Sequence, residues 1–360
     1  MYTFVAAPLI FAFGMVTCKM LTLIYNFFKY TRNDNRFRHT GDEEVHISQS
    51  DDDSDKDEDA DESDEEVDDY KLENDIPKNL CERMQYYESR TMDTFAIIPP
   101  YLPFIIRLDG RGFSKLLRKL KYYAWTNHQS VYSSEFNNAM IRTAEDLITT
   151  FSASTAYTHS DEITLIFPPA CTYDEFIQKQ NKSVHIFKGK ITKLLSIIAS
   201  HTSVRFNKHF RDAMTENNMT EMITEYNKDK YCFTFDARPL VFPTEVTYEI
   251  VNHMIWRSKY DCYRNYISMY SDKYLGKTTT EGISTNKRIE MLKEMGVDFD
   301  NEKDKSMRNG VYVKLEKYEK SDRESSLDDK KVIRKQTKLF VLPDIKCDDE
   351  TIRMMLNKNL

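Results

Sequence analysis

The sequence predicts an α+β fold in which helices cover one face of an antiparallel sheet. Three observations support this class. Apolar runs of strand length alternate with longer segments of helical periodicity, one of the runs reads as a hairpin, and the order along the chain is strand, helix, strand, strand, helix, strand. With 360 residues, the chain is long enough for one large domain, or two, with appendages.

The N-terminal segment 1–41 contains an almost entirely apolar run, residues 4–28, interrupted by Lys19. A helix of this length can cross about 30 Å of hydrocarbon. The basic residues that follow it predict a cytoplasmic location for everything downstream. We therefore expect a membrane anchor in front of a cytoplasmic catalytic domain, with an amphipathic or buried helix as the alternative.

Residues 42–75 form an acidic linker, which we expect to be disordered because it holds too little apolar surface to offset its ordering entropy. Between Asp42 and Asp69 there are 17 acidic residues and one lysine, whereas the whole chain has a net charge of −7. The remaining chain is therefore mildly basic, which permits a polyanionic partner. The six cysteines form no C-x-x-C pair, which argues against a zinc site and favours a reducing compartment.

The predicted catalytic domain spans residues 76–320, followed by a charged linker and C-terminal segment, 321–360. Its predicted helices are 81–90, 133–151, 188–210 and 243–274, and its predicted strands are 104–109, the hairpin 156–167, 231–238, 311–318 and 332–342. The order of the first elements is that of the ferredoxin-like arrangement, in which the first and third strands are neighbours at the centre of the sheet.

Two of these strands carry acids at the same end of the sheet. The first ends on Asp109, and the turn of the hairpin holds Asp161 and Glu162. Neighbouring carboxylates repel each other, and oxygen ligands of this kind suit Mg²⁺, which binds few protein groups together with phosphates and water. We predict a metal–phosphate site there, with Glu162 on the opposite strand face as the less certain participant.

A glycine-containing loop follows Asp109 and opens a helix, so its N–H groups could hold a triphosphate. Lys193, Arg238 and Arg257 lie on elements that we expect to flank the site, and are candidate phosphate contacts. Each of the three could equally be a solvated surface cation.

Three motifs in this order resemble those of the tRNA(His) guanylyltransferase family. They are Arg107-Leu108-Asp109-Gly110-Arg111-Gly112-Phe113, then Ser160-Asp161-Glu162, then Phe235-Asp236-Ala237-Arg238 followed by Trp256-Arg257 and Asp261. The resemblance covers about residues 81–318, and residues such as Glu82-Arg83-Met84 and Arg264-Asn265 are similar to the bacterial-type branch, the reverse (3′-5′) polymerases.

The resemblance implies a polymerase-type palm that adds guanylate or other nucleotides to the 5′ end of tRNA, in tRNA(His) maturation or 5′-end repair. It implies that Asp109 and Asp161 bind two Mg²⁺ ions, that the Gly110 carbonyl is a further ligand, and that Glu162 is a catalytic neighbour. GTP or ATP would be held by Asp109, Gly110, Arg111, Gly112, Phe113, Ser114, Ser160 and Asp161, with Lys193 and Arg238 on the phosphates. A homotetramer is also implied.

This chain departs from the family pattern at three places. Ser114 and Ala124-Trp125 replace a histidine and a Lys-Pro pair, so the triphosphate grip must differ unless Lys119 or Lys121 substitutes for it. Cys262-Tyr263-Arg264-Asn265-Tyr266 replaces a His-Ile-Asn-Asn run, which favours general 5′-end repair over strict use of tRNA(His). The alternatives are a palm-type nucleotide cyclase and a membrane-tethered, non-catalytic tRNA-binding protein.

Overall fold

The computed structural model describes residues 76–94, 96–120, 134–228, 231–243, 246–299, 305–321 and 331–359. The predicted anchor and acidic linker lie outside these residues. Within the described part, no helix combines the length and the apolar character needed to cross a bilayer.

The helices of this part are, in chain order, α1 (Leu80–Thr94), α2 (Phe113–Lys119), α3 (Ser134–Phe151), α4 (Tyr173–Ile177), α5 (Ile191–Glu216), α6 (Thr220–Tyr226), α7 (Tyr248–Ile255), α8 (Tyr263–Tyr274), α9 (Lys277–Thr280), α10 (Thr285–Glu294), α11 (Lys305–Asn309) and α12 (Asp349–Leu356). A π-helical stretch, Trp256–Cys262, joins α7 to α8, so the predicted helix 243–274 is largely confirmed. A short 3₁₀ turn, Ile186–Gly189, precedes α5.

The strands are β1 (Phe104–Gly110), β2 (Thr155–His159), β3 (Glu162–Phe167), β4 (Phe235–Val241), β5 (Val311–Ser321) and β6 (Lys331–Phe340). They form one sheet in the order β4-β1-β3-β2-β5-β6, and every described pairing is antiparallel. The predicted arrangement of the first four strands, with β1 beside β3, is therefore confirmed, and the last two strands extend it at the β2 edge.

One face of the sheet packs against α3 and α5. Phe104, Ile106 and Leu108 of β1 point to this side and join the apolar residues of both helices in the largest core cluster. Phe113, at the start of α2, closes this core near the end of β1, where its ring lies 5.2 Å from that of Phe206 on α5.

Helices also cover the second face, so the prediction of helices on one face only is wrong. Ile105 of β1 points to the second side and packs in a core with residues of α1, α7 and α12. The sequence basis is visible in β1, where apolar residues occupy positions of both parities and are buried on both sides. Arg107 and Asp109 are the polar residues of β1 on this second face.

The C-terminal region belongs to the same sheet, contrary to the predicted domain boundary at residue 320. β6 pairs with β5 from Tyr312↔Phe340 to Ser321↔Lys331. Lys314 of β5 is fully buried and donates hydrogen bonds to the carbonyl oxygens of Ser154, Met354 and Asn357. This lysine ties the end of α12 to the sheet, so residues 331–359 are part of the same folded unit.

Candidate active site

Four carboxylates meet at one end of the sheet. In the antiparallel register, Asp109 at the end of β1 lies opposite Glu162 on β3 and opposite Asp236 on β4. Residues directly opposite each other point to the same face, with Cβ atoms about 5 Å apart. Asp161 precedes Glu162 in the β2–β3 turn and completes the group, which we call the acid cluster.

Gly110 allows the first strand and the turn to approach each other. A Cβ atom built on Gly110 would lie 2.9 Å from the Cβ of Asp161 and 2.8 Å from the ring of Phe113, closer than real Cβ contacts. The position therefore requires glycine for packing, and this close approach brings the Asp161 turn against the end of β1, as the sequence predicted.

Among the described residues, Asp109 and Asp161 have no hydrogen-bonded cation to balance their charges. Burial raises the pKa of Asp109 to about 6, and repulsion from Glu162 adds to the effect. Burial likewise raises the pKa of Asp161 to about 7, with further repulsion from Asp109 and Glu162. Both carboxyl groups therefore bind protons more readily than exposed aspartates, which is what two crowded acids do without a cation.

Glu162 is in a different position because Arg257 binds it. The Nη2 group of Arg257 donates to both carboxylate oxygens of Glu162, and Nη1 donates to Asp261. Burial alone would raise the pKa of Glu162, but Arg257 outweighs it and holds that pKa below its ordinary value. The register also places Glu162 on the same face of the sheet as Asp109, so the prediction that Glu162 lies on the face opposite this metal-site aspartate is wrong.

The loop after Asp109 has the form that the sequence predicted. Gly112 has φ +65° and caps α2, which begins at Phe113. Arg111 and Ser114 are exposed, whereas Phe113 is buried. Ser160, in the facing turn, has φ +48° and its Oγ donates to Asp161 at 3.1 Å. A non-glycine residue in this backbone region carries strain of about 1–2 kcal/mol, which is typical of functional turns.

The three predicted phosphate contacts differ in their placement. Arg238 is half-exposed on β4 and lies 3.6 Å from Asp236, so it borders the acid cluster. Lys193 is exposed on the first turn of α5, next to the bridge between Ile97 and Lys190. Phe206, which contacts Phe113 near the acid cluster, lies thirteen residues after Lys193 on the same helix. Lys193 is therefore about 20 Å from Phe206 along the helix axis. The structure does not bring Lys193 to the cluster.

Arg257 cannot serve as an open phosphate contact either, because it is 4% exposed and paired with acids.

Asp236 belongs to the acid cluster, although the sequence placed it only within a motif and indicated no role for it. Its position two residues before Arg238 in a strand, on the same face by alternation, was the available signal.

The residues of the acid cluster suit a divalent metal ion that is bound partly by protein carboxylates and partly by phosphate groups. Within the described ranges, no group of three or more His, Cys, Asp or Glu side chains forms a preassembled metal site. Two crowded aspartates without a hydrogen-bonded cation among the described residues instead match Mg²⁺, which takes few protein ligands and keeps the rest for water and phosphate.

A pair of aspartates at the end of the central strands of the sheet is an arrangement that suits metal-dependent phosphoryl transfer. Residues 81–243 match the family model described as tRNAHis guanylyltransferase. The chain is 36% identical over 227 residues to an uncharacterized protein of Acanthamoeba polyphaga mimivirus, covering 62% of this chain and 73% of that protein. It is 24% identical over 270 residues to the tRNA(His) guanylyltransferase of Debaryomyces hansenii, covering 71% of this chain and 89% of the yeast protein.

Among solved structures, a bacterial tRNA(His) guanylyltransferase-like protein in complex with ATP is similar at 23% identity and a TM-score of 0.46, over 62% of this chain and 85% of the other. The tRNA(His) guanylyltransferase of Saccharomyces cerevisiae is similar at 18% identity and a TM-score of 0.44, over 62% and 90%. The chain belongs to the tRNA(His) guanylyltransferase family. It is a nucleotidyltransferase of that family.

Proposed function

We propose that this protein is a Mg²⁺-dependent nucleotidyltransferase that adds guanylate or other nucleotides to the 5′ end of tRNA in the 3′-5′ direction. The observation that carries the proposal is the pair Asp109 and Asp161, which are partly buried, crowded and without a hydrogen-bonded cation among the described residues. Family membership supplies the class of reaction.

Asp109, Asp161 and the carbonyl of Gly110 would hold the metal ions. Bound there, a pair of ions lowers the barrier of phosphoryl transfer by activating the attacking hydroxyl and stabilising the leaving oxygen. The chain itself orients the nucleotide: the backbone from Asp109 to Ser114 and the Ser160 turn form its cradle, and Arg238 lies at the edge where phosphates would extend.

The exposed side of α2 supports a polyanionic substrate. Arg111, Lys115, Arg118 and Lys119 are all exposed, and no acidic residue lies between Arg111 and Leu120. Within the described structure none of the four makes an ion pair with an acid. This basic strip follows Gly110 directly, so RNA phosphates bound along it would bring a 5′ end to the acid cluster.

The replacement of the family's His-Ile-Asn-Asn run by Cys262-Tyr263-Arg264-Asn265-Tyr266 supports the bacterial-type branch and 5′-end repair. In the structure Arg264 lies 3.2 Å from Asp261, beside Arg257, so this segment is part of the site's surroundings.

We further propose a cytoplasmic catalytic unit, anchored to a membrane through residues 4–28 and assembled as a homotetramer. Cell fractionation with and without residues 4–28, and light scattering of the purified protein, test these points.

The central experiment incubates the purified protein and Mg²⁺ with GTP, ATP and a panel of labelled tRNAs that lack their first 5′ nucleotide. We expect tRNAs longer by one or more 5′ nucleotides, and no product from Asp109→Asn or Asp161→Asn. Cyclised GTP or ATP formed without RNA would instead identify a nucleotide cyclase. Salt-sensitive tRNA binding without any turnover would identify a non-catalytic tRNA-binding protein.

A further inference from the structure

Arg257 is the most completely enclosed cation near the acid cluster. It projects from the π-helical stretch on the second face of the sheet and is 4% exposed. Its guanidinium lies 4.7 Å from the ring centroid of Trp256, donates to both oxygens of Glu162, and donates to Asp261 through its other terminal nitrogen. A stacked, bidentate arginine has little rotational freedom, so the position of Glu162 is fixed by it.

The distribution of cations in the cluster is uneven. Arg257 binds Glu162, and Arg107, another buried arginine of this face, lies 3.3 Å from Glu88. Arg238 lies at the exposed edge beside Asp236. Asp109 and Asp161 have no such partner among the described residues. Of the four carboxylates of the acid cluster, Glu162 is therefore neutralised by Arg257 and Asp236 lies beside Arg238, whereas Asp109 and Asp161 remain available to a bound cation.

The π-helical stretch supports a dedicated role for Arg257. It interrupts an otherwise α-helical segment from Tyr248 to Tyr274. Such interruptions are rare in proteins, and those that occur often lie at functional sites. Asp261, in the same stretch, accepts from Arg257 on one side and lies 3.2 Å from Arg264 on the other. Asp261 thereby holds the guanidinium on the line towards Glu162.

We propose that Arg257 is a positioning residue that sequesters the carboxylate of Glu162, so that Asp109 and Asp161 are the only carboxylates of the metal site. This inference rests on the proposed function, because it assigns the ligand set of the same site. Without Arg257, the carboxylate of Glu162 is free to turn towards the aspartates and becomes a third anionic ligand, which binds a divalent ion more tightly but in an altered geometry.

The test compares Arg257→Met, Glu162→Gln and the double variant, with two measurements on each. The first is Mn²⁺ binding to the protein alone, by calorimetry and by the electron paramagnetic resonance of free Mn²⁺. The second is the kinetics of nucleotide addition. We expect Arg257→Met to bind Mn²⁺ about tenfold more tightly and to lose about 100-fold in kcat, with little change in the KM for nucleotide.

The double variant should return the Mn²⁺ affinity to that of the wild type and regain most of the lost kcat, because no carboxylate is left to be released. Replacing both members of a buried ion pair by neutral groups is tolerated better than removing one. A merely structural role would instead give a double variant at least as impaired as Arg257→Met. That result, or unchanged Mn²⁺ affinity in Arg257→Met, overturns the inference.

Thermal unfolding identifies variants that fail to fold. If Arg257→Met fails, Arg257→Lys replaces it; lysine keeps the charge but cannot form both hydrogen bonds to Glu162, and we expect an intermediate effect that Glu162→Gln relieves. The two proposals fail in different ways. If the variants differ in Mn²⁺ affinity as predicted but the wild-type protein extends no tRNA, only the proposed function is refuted. If the wild-type protein extends tRNA but the variants do not show the predicted differences in Mn²⁺ affinity, only the role of Arg257 is refuted.

Discussion

Asp109 and Glu162 face each other across the β1–β3 pairing, yet only Glu162 is bound by an arginine. The two carboxylates are direct neighbours in the sheet but have opposite pKa shifts: burial and repulsion raise the pKa of Asp109, and Arg257 lowers that of Glu162. The negative charge of Glu162 is therefore neutralised by the protein itself, whereas that of Asp109 remains available to a bound cation.

Replacing Gly110 by alanine should disrupt the site through steric overlap alone. The new Cβ would lie 2.8 Å from the Phe113 ring and 2.9 Å from Asp161 Cβ, so the turn must move; we expect a loss of about 1–3 kcal/mol in stability and a loss of most of the nucleotide addition activity. Gly296→Ala is the matched control, because Gly296 has φ +70° and no atom near its Cβ position. That control should lose some stability and no activity. Equal activity losses in both variants would contradict the packing argument.

Asp161→Asn should stabilise the metal-free protein while abolishing activity. Asn keeps the shape of the side chain and removes the charge that Asp109 repels. We expect a higher midpoint of thermal unfolding in EDTA and at least about a 100-fold loss of nucleotide addition. Asp348→Ala provides the contrast, since Asp348 caps α12 and its loss should cost about 1 kcal/mol with activity retained. A lower midpoint for Asp161→Asn would show that the cluster is not repulsive.

The stability of the metal-free protein should depend on pH through the same two aspartates. Their folded-state pKa values, about 6 and about 7, are above the ordinary 3.8, so the folded state binds more protons between about pH 4 and pH 7 and this contribution to stability is lost as pH rises through that range. Buried His159, whose pKa is lowered to about 4, contributes the opposite slope.

The measurement is therefore a difference in the free energy of unfolding between two proteins. Urea unfolding of the wild type and of Asp109→Asn/Asp161→Asn is compared at pH 5.5 and pH 8. The double variant should gain more over the wild type at pH 8 than at pH 5.5, and saturating Mg²⁺ should reduce that gap at pH 8. A gap that is independent of pH would refute the pKa assignment.

The basic strip on α2 should contribute to RNA affinity in a salt-dependent manner. Lys115→Ala/Arg118→Ala removes two exposed cations, so tRNA binding should weaken and the slope of log K against log salt concentration should fall by roughly 1 for each phosphate that the strip no longer neutralises. Lys287→Ala/Lys293→Ala on α10 makes the same change in net charge at another exposed site and should leave both quantities nearly unchanged. An equal decrease in both variants would indicate non-specific attraction.

The sequence was sufficient to predict the four-strand pattern and the meeting of Asp109 with the Asp161 turn, because both follow from strand order and from a short turn. The apolar residues at both parities of β1 indicated burial on both faces, but the sequence could not show which helices cover the second face, because they lie far away in the chain. Helical periodicity likewise predicted α5 but not which of its ends lies near the cluster, and Lys193 was misplaced for that reason. The pairing of Arg257 with Glu162 joins residues 95 positions apart, which no local pattern reveals.

Lys314 gives this fold a particular order of completion during synthesis. Its ammonium group needs the carbonyl oxygens of Met354 and Asn357, which leave the ribosome some forty residues after the lysine itself. Until then the second face of the sheet lacks α12, and the lysine that will be buried there has not met these acceptors. Asp109 and Asp161 are thus translated long before α12 can complete the second face of the sheet.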